Sequence, residues 1–196
     1  MLRQTILRFA SVFLVLLIAG VAHAQKYDVP LAAPPVGFHW QPLPESKAAI
    51  PLPDGWYYHA DGQQGDPTYY LTQEAIGESG EFQTGLSLQV VRKVAAKTKR
   101  RAPEYAGFLM LRAGFGRGQQ QLEKATSQDG IFHKHTVRYR EAPPEADARV
   151  VYQLALANAK TDTLYLLTFE SAEKDWEEAW KLGEVMVREL VLDSRR

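Results

Sequence analysis

The sequence predicts an α+β fold in which a central antiparallel β-sheet is covered by helices on both faces, an α/β/α sandwich. The first observation is the apolar run at residues 164–169, which carries large apolar side chains on both alternating faces. Such a strand belongs in the middle of a sheet that is covered on both sides. The second is a helical apolar period that starts directly after this run. The third is a series of strands that does not alternate with helices, which is typical of segregated α+β proteins.

The C-terminal segment is predicted to be an amphipathic helix that lies flat on the sheet. Ser171 is expected to be its N-cap, with Glu173 and Asp175 near the positive end of the helix dipole. Seven residues recur at helical spacing and form its apolar stripe: Ala172, Trp176, Ala179, Trp180, Gly183, Val187 and Leu190. We therefore expect Trp176 and Trp180 to be buried against the sheet.

The first half of the domain is predicted to consist mainly of strands. The prolines in residues 49–56 favour an edge strand or strap, and Pro53-Asp54-Gly55 is a turn signal. Residues 56–60 and 68–74 are predicted to be strands on either side of a polar loop. Residues 86–92 alternate apolar and polar side chains, as in a strand with one buried face.

A helix is predicted from Pro103 to about residue 115, because proline suits the first helical position. Its apolar side is expected to comprise Tyr105, Phe108, Leu109 and Phe115. Glycines at 114, 116 and 118 would end the helix. The rest of the chain predicts an antiparallel meander, with a hairpin at Asp129-Gly130 and long strands at residues 131–140 and 150–157.

Residues 1–24 are predicted to be a secretory signal peptide of the Sec type. Arg3 and Arg8 form a positive start, residues 9–21 are apolar, and Ala22-His23-Ala24 is an A-x-A cleavage site. The apolar segment is short for a membrane span, although an uncleaved anchor is the alternative. Cleavage would leave no transmembrane segment. We expect a periplasmic protein, with secretion into the medium as the alternative.

The mature chain is predicted to be a flexible linker at residues 25–36, rich in Pro and Ala, followed by one domain at 37–196. Cleavage would remove two arginines and no acid, so 21 basic residues would face 23 acidic ones, a net charge of about −2. This balance argues against bulk nucleic-acid binding. The absence of cysteine excludes disulfides, thiol nucleophiles and cysteine-ligated metals.

Three parts of the chain together resemble the PsbP-like family. They are the Pro53-x-Gly55-Trp56 motif, the strand at residues 85–90 and the strand-plus-helix ending at residues 164–190. The resemblance covers nearly the whole mature chain and implies the family's central antiparallel sheet between helices. The name-giving member is an extrinsic subunit of photosystem II, so the resemblance implies a protein held by surface contacts rather than one with a catalytic site. It assigns no functional residue to this sequence.

His133 and His135 are the candidate metal ligands. They stand at i and i+2 on a predicted strand, hence on one face and roughly 6.6 Å apart. A third ligand from His39, His59 or a carboxylate would complete a metal site. The same face also carries the apolar residues Ile131, Val137 and Tyr139. The alternative is therefore that both histidines are half-buried sheet residues.

Four tyrosines flank the polar loop at residues 61–66: Tyr57, Tyr58, Tyr69 and Tyr70. Tyrosines on a rim anchor sugars or partner proteins, and they are also good strand formers. The sequence thus predicts either an aromatic binding rim or ordinary strand packing at this loop.

The densest charge cluster lies between the strand at 86–92 and the following helix. Its six cations are Arg92, Lys93, Lys97, Lys99, Arg100 and Arg101, with no acid between Glu81 and Glu104. A second basic row on one strand comprises Lys134, Arg138 and Arg140. Cations at a helix start oppose the helix dipole, which favours an anionic counterpart. The counterpart is either one of the protein's own acids, such as Glu173, Asp175 or Glu177, or a partner; a solvated loop is the plain alternative.

No catalytic constellation emerges from the sequence, and no cofactor is expected. The glycine run at 114–118 closes a helix instead of opening one, unlike a phosphate-binding loop. We therefore predict a non-catalytic periplasmic binding or assembly module, whose partner is an envelope protein or an anionic membrane surface. The alternative is a metal-dependent protein or enzyme that uses the His133/His135 face.

Overall fold

The computed structural model describes residues 31–61, 66–76 and 82–192. The predicted signal peptide, residues 1–24, lies outside the described residues, as does the first half of the predicted linker. The strands are β1 Phe38–Leu43, β2 Ala48–Pro53, β3 Tyr57–Asp61, β4 Thr68–Thr72, β5 Gly85–Val91, β6 Gln119–Asp129, β7 Phe132–Glu141, β8 Arg149–Asn158 and β9 Thr163–Ala172. The helices are α1 Val94–Thr98, α2 Ala102–Arg112 and α3 Trp176–Arg188, with a 3₁₀ turn at Glu173–Asp175.

Seven strands form one antiparallel sheet in the order β3-β4-β5-β9-β8-β7-β6. Strand β9 is fourth of the seven, so the prediction that residues 164–169 occupy the middle of the sheet is confirmed. Strands β6 to β9 form the predicted meander, and β1 and β2 form a separate hairpin. All six residues of β2 are buried, so this hairpin is the predicted strap.

The two faces of β9 enter two different cores because its side chains alternate. Tyr165, Leu167 and Phe169 belong to a core shared with α3 and β2, whereas Leu164 belongs to a core shared with α1 and α2. An α+β fold with a central antiparallel sheet is therefore confirmed. The stricter α/β/α sandwich is not established, because the helices of the described ranges are few and each covers only part of the sheet.

Helix α3 begins later than the sequence predicts. Ser171 is buried inside β9 and is not an N-cap, because the strand continues to Ala172 and a 3₁₀ turn follows. The predicted apolar stripe is otherwise largely confirmed: Trp176, Ala179 and Gly183 are buried, together with Met186. Trp180 is only half-buried.

Helix α2 buries a different face from the predicted one. It rests on Ala102, Ala106 and Met110, whereas Phe108 and Phe115 are exposed, so the predicted apolar side is wrong for these two residues. The two alanines allow the helix backbone to approach the sheet closely, which leaves no room for aromatic rings between them. The large side chains turn outward as a consequence. No helix among the described residues is long and apolar enough to cross a membrane.

Candidate functional site

The basic segment predicted from the sequence connects β5 to α2 and contains the short helix α1. Lys93 and Lys99, at the two ends of α1, both adopt left-handed backbone conformations, with φ of 52° and 64°. These two residues reverse the chain direction on either side of α1. The segment is therefore a compact two-turn connection on the α2 side of the sheet.

Asp162, in the turn between β8 and β9, holds both helices at their N-termini. Its carboxylate accepts hydrogen bonds from the backbone N–H of Ala95 at 2.8 Å and of Ala102 at 2.8 Å. Its backbone carbonyl accepts a third from the N–H of Val94 at 3.1 Å. An anionic group at a helix N-terminus satisfies unpaired donors and interacts favourably with the dipole. Asp162 is thus an internal anionic counterpart of the kind that the cations before α2 predicted.

Asp66 neutralises a further part of the basic segment. Its carboxylate accepts a hydrogen bond from the Arg92 backbone N–H at 3.0 Å and pairs with the Lys97 ammonium. Partial burial acts to raise the pKa of Asp66, but these hydrogen bonds and the two nearby cations outweigh it, so the pKa lies below its usual value. The Arg92 guanidinium also donates to the Glu45 carbonyl, and Arg101 donates to the Ala159 carbonyl at 2.8 Å.

Three other cations of the segment remain exposed without an ion pair in the described part of the chain: Lys93, Lys99 and Arg100. The Arg100 guanidinium lies 4.4 Å from the centre of the Phe108 ring, a cation–π contact. Glu173, one of the internal acids considered from the sequence, instead binds Arg140 on the other side of the sheet at 2.7 Å. The structure therefore divides the predicted cluster into an anchored half and an exposed half.

The outer side of α2 and the turn after it present three exposed apolar residues, of which Phe108 and Phe115 were predicted to be on the apolar side of the helix. Phe108 is 40%, Leu111 64% and Phe115 65% exposed. Two exposed arginines, Arg112 and Arg117, accompany them. We call these five residues, with Lys93, Lys99 and Arg100, the α1–α2 surface. The buried side of α2 is formed by Ala102, Ala106 and Met110, which recur at i, i+4 spacing. This stripe of small residues is the sequence signal that could have predicted that the aromatic side chains face outward.

His133 and His135 lie on the α2 side of β7 as half-buried residues. His135 Nδ1 and Thr126 Oγ1 share a hydrogen bond at 3.2 Å, and the His135 ring lies under Gly107 of α2. Burial lowers the pKa of His135, assisted by the neighbouring His133 and Lys124. Within residues 31–61, 66–76 and 82–192 no group of three His, Cys, Asp or Glu side chains could hold a metal ion.

The four predicted rim tyrosines divide between the two faces of the sheet. Tyr58 stacks on Tyr69 with ring centroids 6.5 Å apart, and Tyr69 is 1% exposed within the α3-side core. Tyr57 and Tyr70 point to the other face, where Tyr70 lies 6.1 Å from the His59 ring. The predicted four-residue rim is therefore wrong, because alternation along each strand places Tyr58 and Tyr69 on the face opposite Tyr57 and Tyr70.

The second basic row is engaged by acids on the α3 side of the sheet. Arg138 pairs with Glu123 at 3.3 Å, and Arg140 forms a two-pronged contact with Glu173 at 2.7 and 2.9 Å. The row is thus partly neutralised, in contrast to the exposed half of the basic segment.

The sequence analysis missed a polar cluster at the end of the sheet beyond α2. Arg149 bridges Glu141 at 2.6 Å and Glu170 at 3.0 Å. Burial raises the pKa of Glu170 despite this arginine, and burial beside Glu141 and Glu170 raises the pKa of Tyr139 to about 12. Only cross-strand register brings these residues together, so no local pattern marks them. One arginine shared by two carboxylates is a structural ion-pair network.

The fold of this chain is similar to that of several solved structures. Cyanobacterial PsbP (CyanoP) from Synechocystis is 13% identical with a TM-score of 0.51, over 80% of this chain and 92% of that chain. The chain has the PsbP-like fold. The resemblance seen in the sequence is thereby confirmed at the level of fold, which is all that such low identity shows. No protein-family model and no curated protein sequence matches the chain.

Two further structures align over a similar length. The Ran-binding protein Mog1p of Saccharomyces cerevisiae is 16% identical with a TM-score of 0.49, over 79% of this chain and 95% of that chain. LpqN of Mycobacterium tuberculosis, involved in cell envelope biogenesis, is 9% identical with a TM-score of 0.49, over 80% of this chain and 91% of that chain.

Proposed function

We propose that the protein is a non-catalytic exported binding module of the periplasm, which meets an anionic partner through the α1–α2 surface. The observation that carries this proposal is the segregation of charge along the chain. Residues 82–122 contain eight basic residues and a single acid, Glu104, although the whole chain has equal numbers of both. Charge needed only for solubility would be distributed over the surface.

The internal pairing strengthens this proposal. Asp162 and Asp66 already satisfy the helix N-termini and anchor the segment, so the exposed cations are not required to hold it in place. All five cations are exposed: Lys93, Lys99 and Arg100 lie before α2, and Arg112 and Arg117 lie at its end and in the following turn. A surface of one sign raises the encounter rate with a partner of the opposite sign.

The proposal that the protein is exported rests on the sequence features of residues 1–24. The positive start, the apolar segment and the A-x-A site are those of a cleaved signal peptide. A protein without cysteine depends on its packed core, which suits a periplasmic location.

The test uses a variant in which Lys99, Arg100 and Arg112 are changed together to Gln. Each exposed ion pair contributes only about 0–1 kcal/mol, so single changes would be too small to measure. Two anionic probes are compared with the mature protein: immobilised polyglutamate, and vesicles of phosphatidylglycerol mixed with phosphatidylcholine. The matched control changes Lys47, Lys174 and Lys181 to Gln, which removes the same charge from exposed positions outside the α1–α2 surface.

We expect the parent and the control to bind at least one probe at low salt and the triple variant to lose that binding. Binding should weaken towards physiological salt, where screening limits exposed charges to roughly 8 Å. Equal binding by the triple variant and the control, or no binding of either probe by the parent, would contradict the proposal. The His133/His135 alternative gains no specific support from the structure.

A further inference from the structure

We propose that the anionic partner is a lipid bilayer, and that Phe108, Leu111 and Phe115 enter its headgroup region while the surrounding cations contact the lipid phosphates. This inference rests on the proposed function and names the partner of the same surface. It assigns a binding role to three apolar residues that belong to neither of the two cores.

The three apolar residues are exposed along the outer side of α2 and in the turn that follows it. Leu111 follows Phe108 at i+3, so the two are neighbours on the helix surface. The backbone N–H of Phe115 donates to the Arg112 carbonyl at 3.4 Å, so the chain turns back and Phe115 stays beside the last turn of α2. Exposed large apolar residues are normal when scattered, but a contiguous group of them marks an interaction site.

The cations around this group match a membrane surface. Arg100 lies on the Phe108 ring, and Arg112 stands between Leu111 and Phe115 in the chain. Arginine stems cover apolar groups while their charged ends reach outward to the headgroups. Apolar residues flanked by Lys and Arg are the composition of helices that lie in the interface of anionic membranes. Glu104, the one acid in residues 82–122, is exposed one turn before Phe108, and the eight basic residues of the same range outnumber it.

Charge argues against a second copy of the chain as the occupant. A twofold dimer through this surface would place the same patch of each copy against the other. Two basic surfaces would then face each other, and like charges across an interface are costly. The cations concerned are Lys99, Arg100, Arg112 and Arg117. A bilayer, in contrast, supplies negative charge and accepts apolar side chains without a pocket of matching shape.

The decisive variant changes Leu111 and Phe115 together to Ser. Both side chains are mostly exposed, so the fold should be unaffected, which circular dichroism checks. The control changes Val36 and Leu122 to Ser, two exposed apolar residues outside the α1–α2 surface. Binding is measured by flotation with vesicles of phosphatidylglycerol and phosphatidylcholine, and with phosphatidylcholine alone.

We expect the parent and control to bind only the anionic vesicles. The Leu111/Phe115 variant should bind them at least about tenfold more weakly, because full burial of one such side chain corresponds to about a factor of ten or more in an equilibrium constant. A Phe115→Trp variant should show a blue-shifted emission on adding anionic vesicles, relative to the parent.

Three results would overturn the inference. Unchanged vesicle binding by the Leu111/Phe115 variant would show that charge alone acts. Binding to polyglutamate but not to anionic vesicles would leave the proposed function standing and identify an acidic protein as the better partner. A dimer of the parent that dissociates in the Leu111/Phe115 variant, seen by sedimentation, would assign the apolar group to self-association.

Discussion

Gly183 of helix α3 lies directly on the ring of Phe169 in the central strand. A Cβ atom at residue 183 would stand 2.7 Å from Phe169 Cε2, closer than van der Waals contact allows. The ring cannot easily move away, because it is fully buried and packs edge-on against both Trp176 and Trp180, with centroid distances of 5.8 and 5.5 Å. The close contact between α3 and the sheet at this point depends on residue 183 being a glycine, which has no side chain.

Gly183→Ala should therefore destabilise the protein although alanine favours helices. The helix-propensity gain is up to about 1 kcal/mol, whereas overpacking a core costs about 1–3 kcal/mol. Gly107→Ala is the matched control, since its Cβ would lie 3.6 Å from His135 Cε1, an ordinary contact. Urea unfolding should show a lower midpoint for Gly183→Ala and an equal or higher one for Gly107→Ala. A Gly183→Ala variant as stable as the parent would contradict the packing.

Replacement of Asp162 should destabilise the protein by an amount that depends on how many hydrogen-bond acceptors the new residue retains. Each of its two carboxylate oxygens accepts one helix N–H, so Asn retains one acceptor and Gly retains none. Loss of a cap costs about 0.5–2 kcal/mol. The residue has φ of 51°, which Gly adopts without strain, so Ala should be worse than Gly. We expect unfolding free energies in the order Asp, Asn, Gly, Ala; equal values for all four would show that the caps are not important.

Trp176→Ala should cost more stability than Trp180→Ala. Both tryptophans pack edge-on against Phe169, but Trp176 is 5% exposed, whereas Trp180 is only half-buried. Truncating a buried aromatic costs about 3–5 kcal/mol, and a half-buried one should cost less. Thermal or urea unfolding of the two variants measures the difference. The reverse order, or no loss in either variant, would contradict the arrangement.

His135 should make the protein less stable as the pH falls through 6.5. Its pKa in the folded protein is lowered, first by burial and then by His133 and Lys124, so the fold favours the neutral ring. That contribution is fully present above the ordinary value of 6.5 and is lost as the pH falls from there through the folded pKa. His135→Gln should flatten the pH dependence of the unfolding midpoint. A His135→Gln variant with the same pH profile as the parent would refute the expectation.

Export should produce a mature chain that begins at Gln25. The A-x-A motif at residues 22–24 predicts cleavage after Ala24. Intact mass spectrometry of protein from the periplasmic fraction measures this directly, and Ala24→Arg should block processing. A periplasmic product that still carries Met1 would contradict a cleaved signal peptide.

Local pattern was sufficient for much of the fold and for one half of the proposed site. The apolar run at residues 164–169 is large on both faces, so its central place in the sheet follows from its own side chains. The hairpin at Asp129-Gly130 follows from turn chemistry, and the charge imbalance of residues 92–101 is visible without any structure. The apolar half of the α1–α2 surface was assigned to the core instead, because Phe108 and Phe115 are hydrophobic and helix period alone did not decide which side faces the sheet.

The sequence by itself determined most of the strands, the two longer helices, the α+β class and the segregation of basic residues, because each depends on neighbours along the chain. Only the tertiary structure decided which cations are anchored and which are exposed. Lys97 meets Asp66 across 31 positions, and Ala102 meets Asp162 across 60, so no local spacing marks either contact. The burial of α2 was decided in the same way: its small residues fit against β7, β8 and β9, and close packing turned the aromatic rings to the surface.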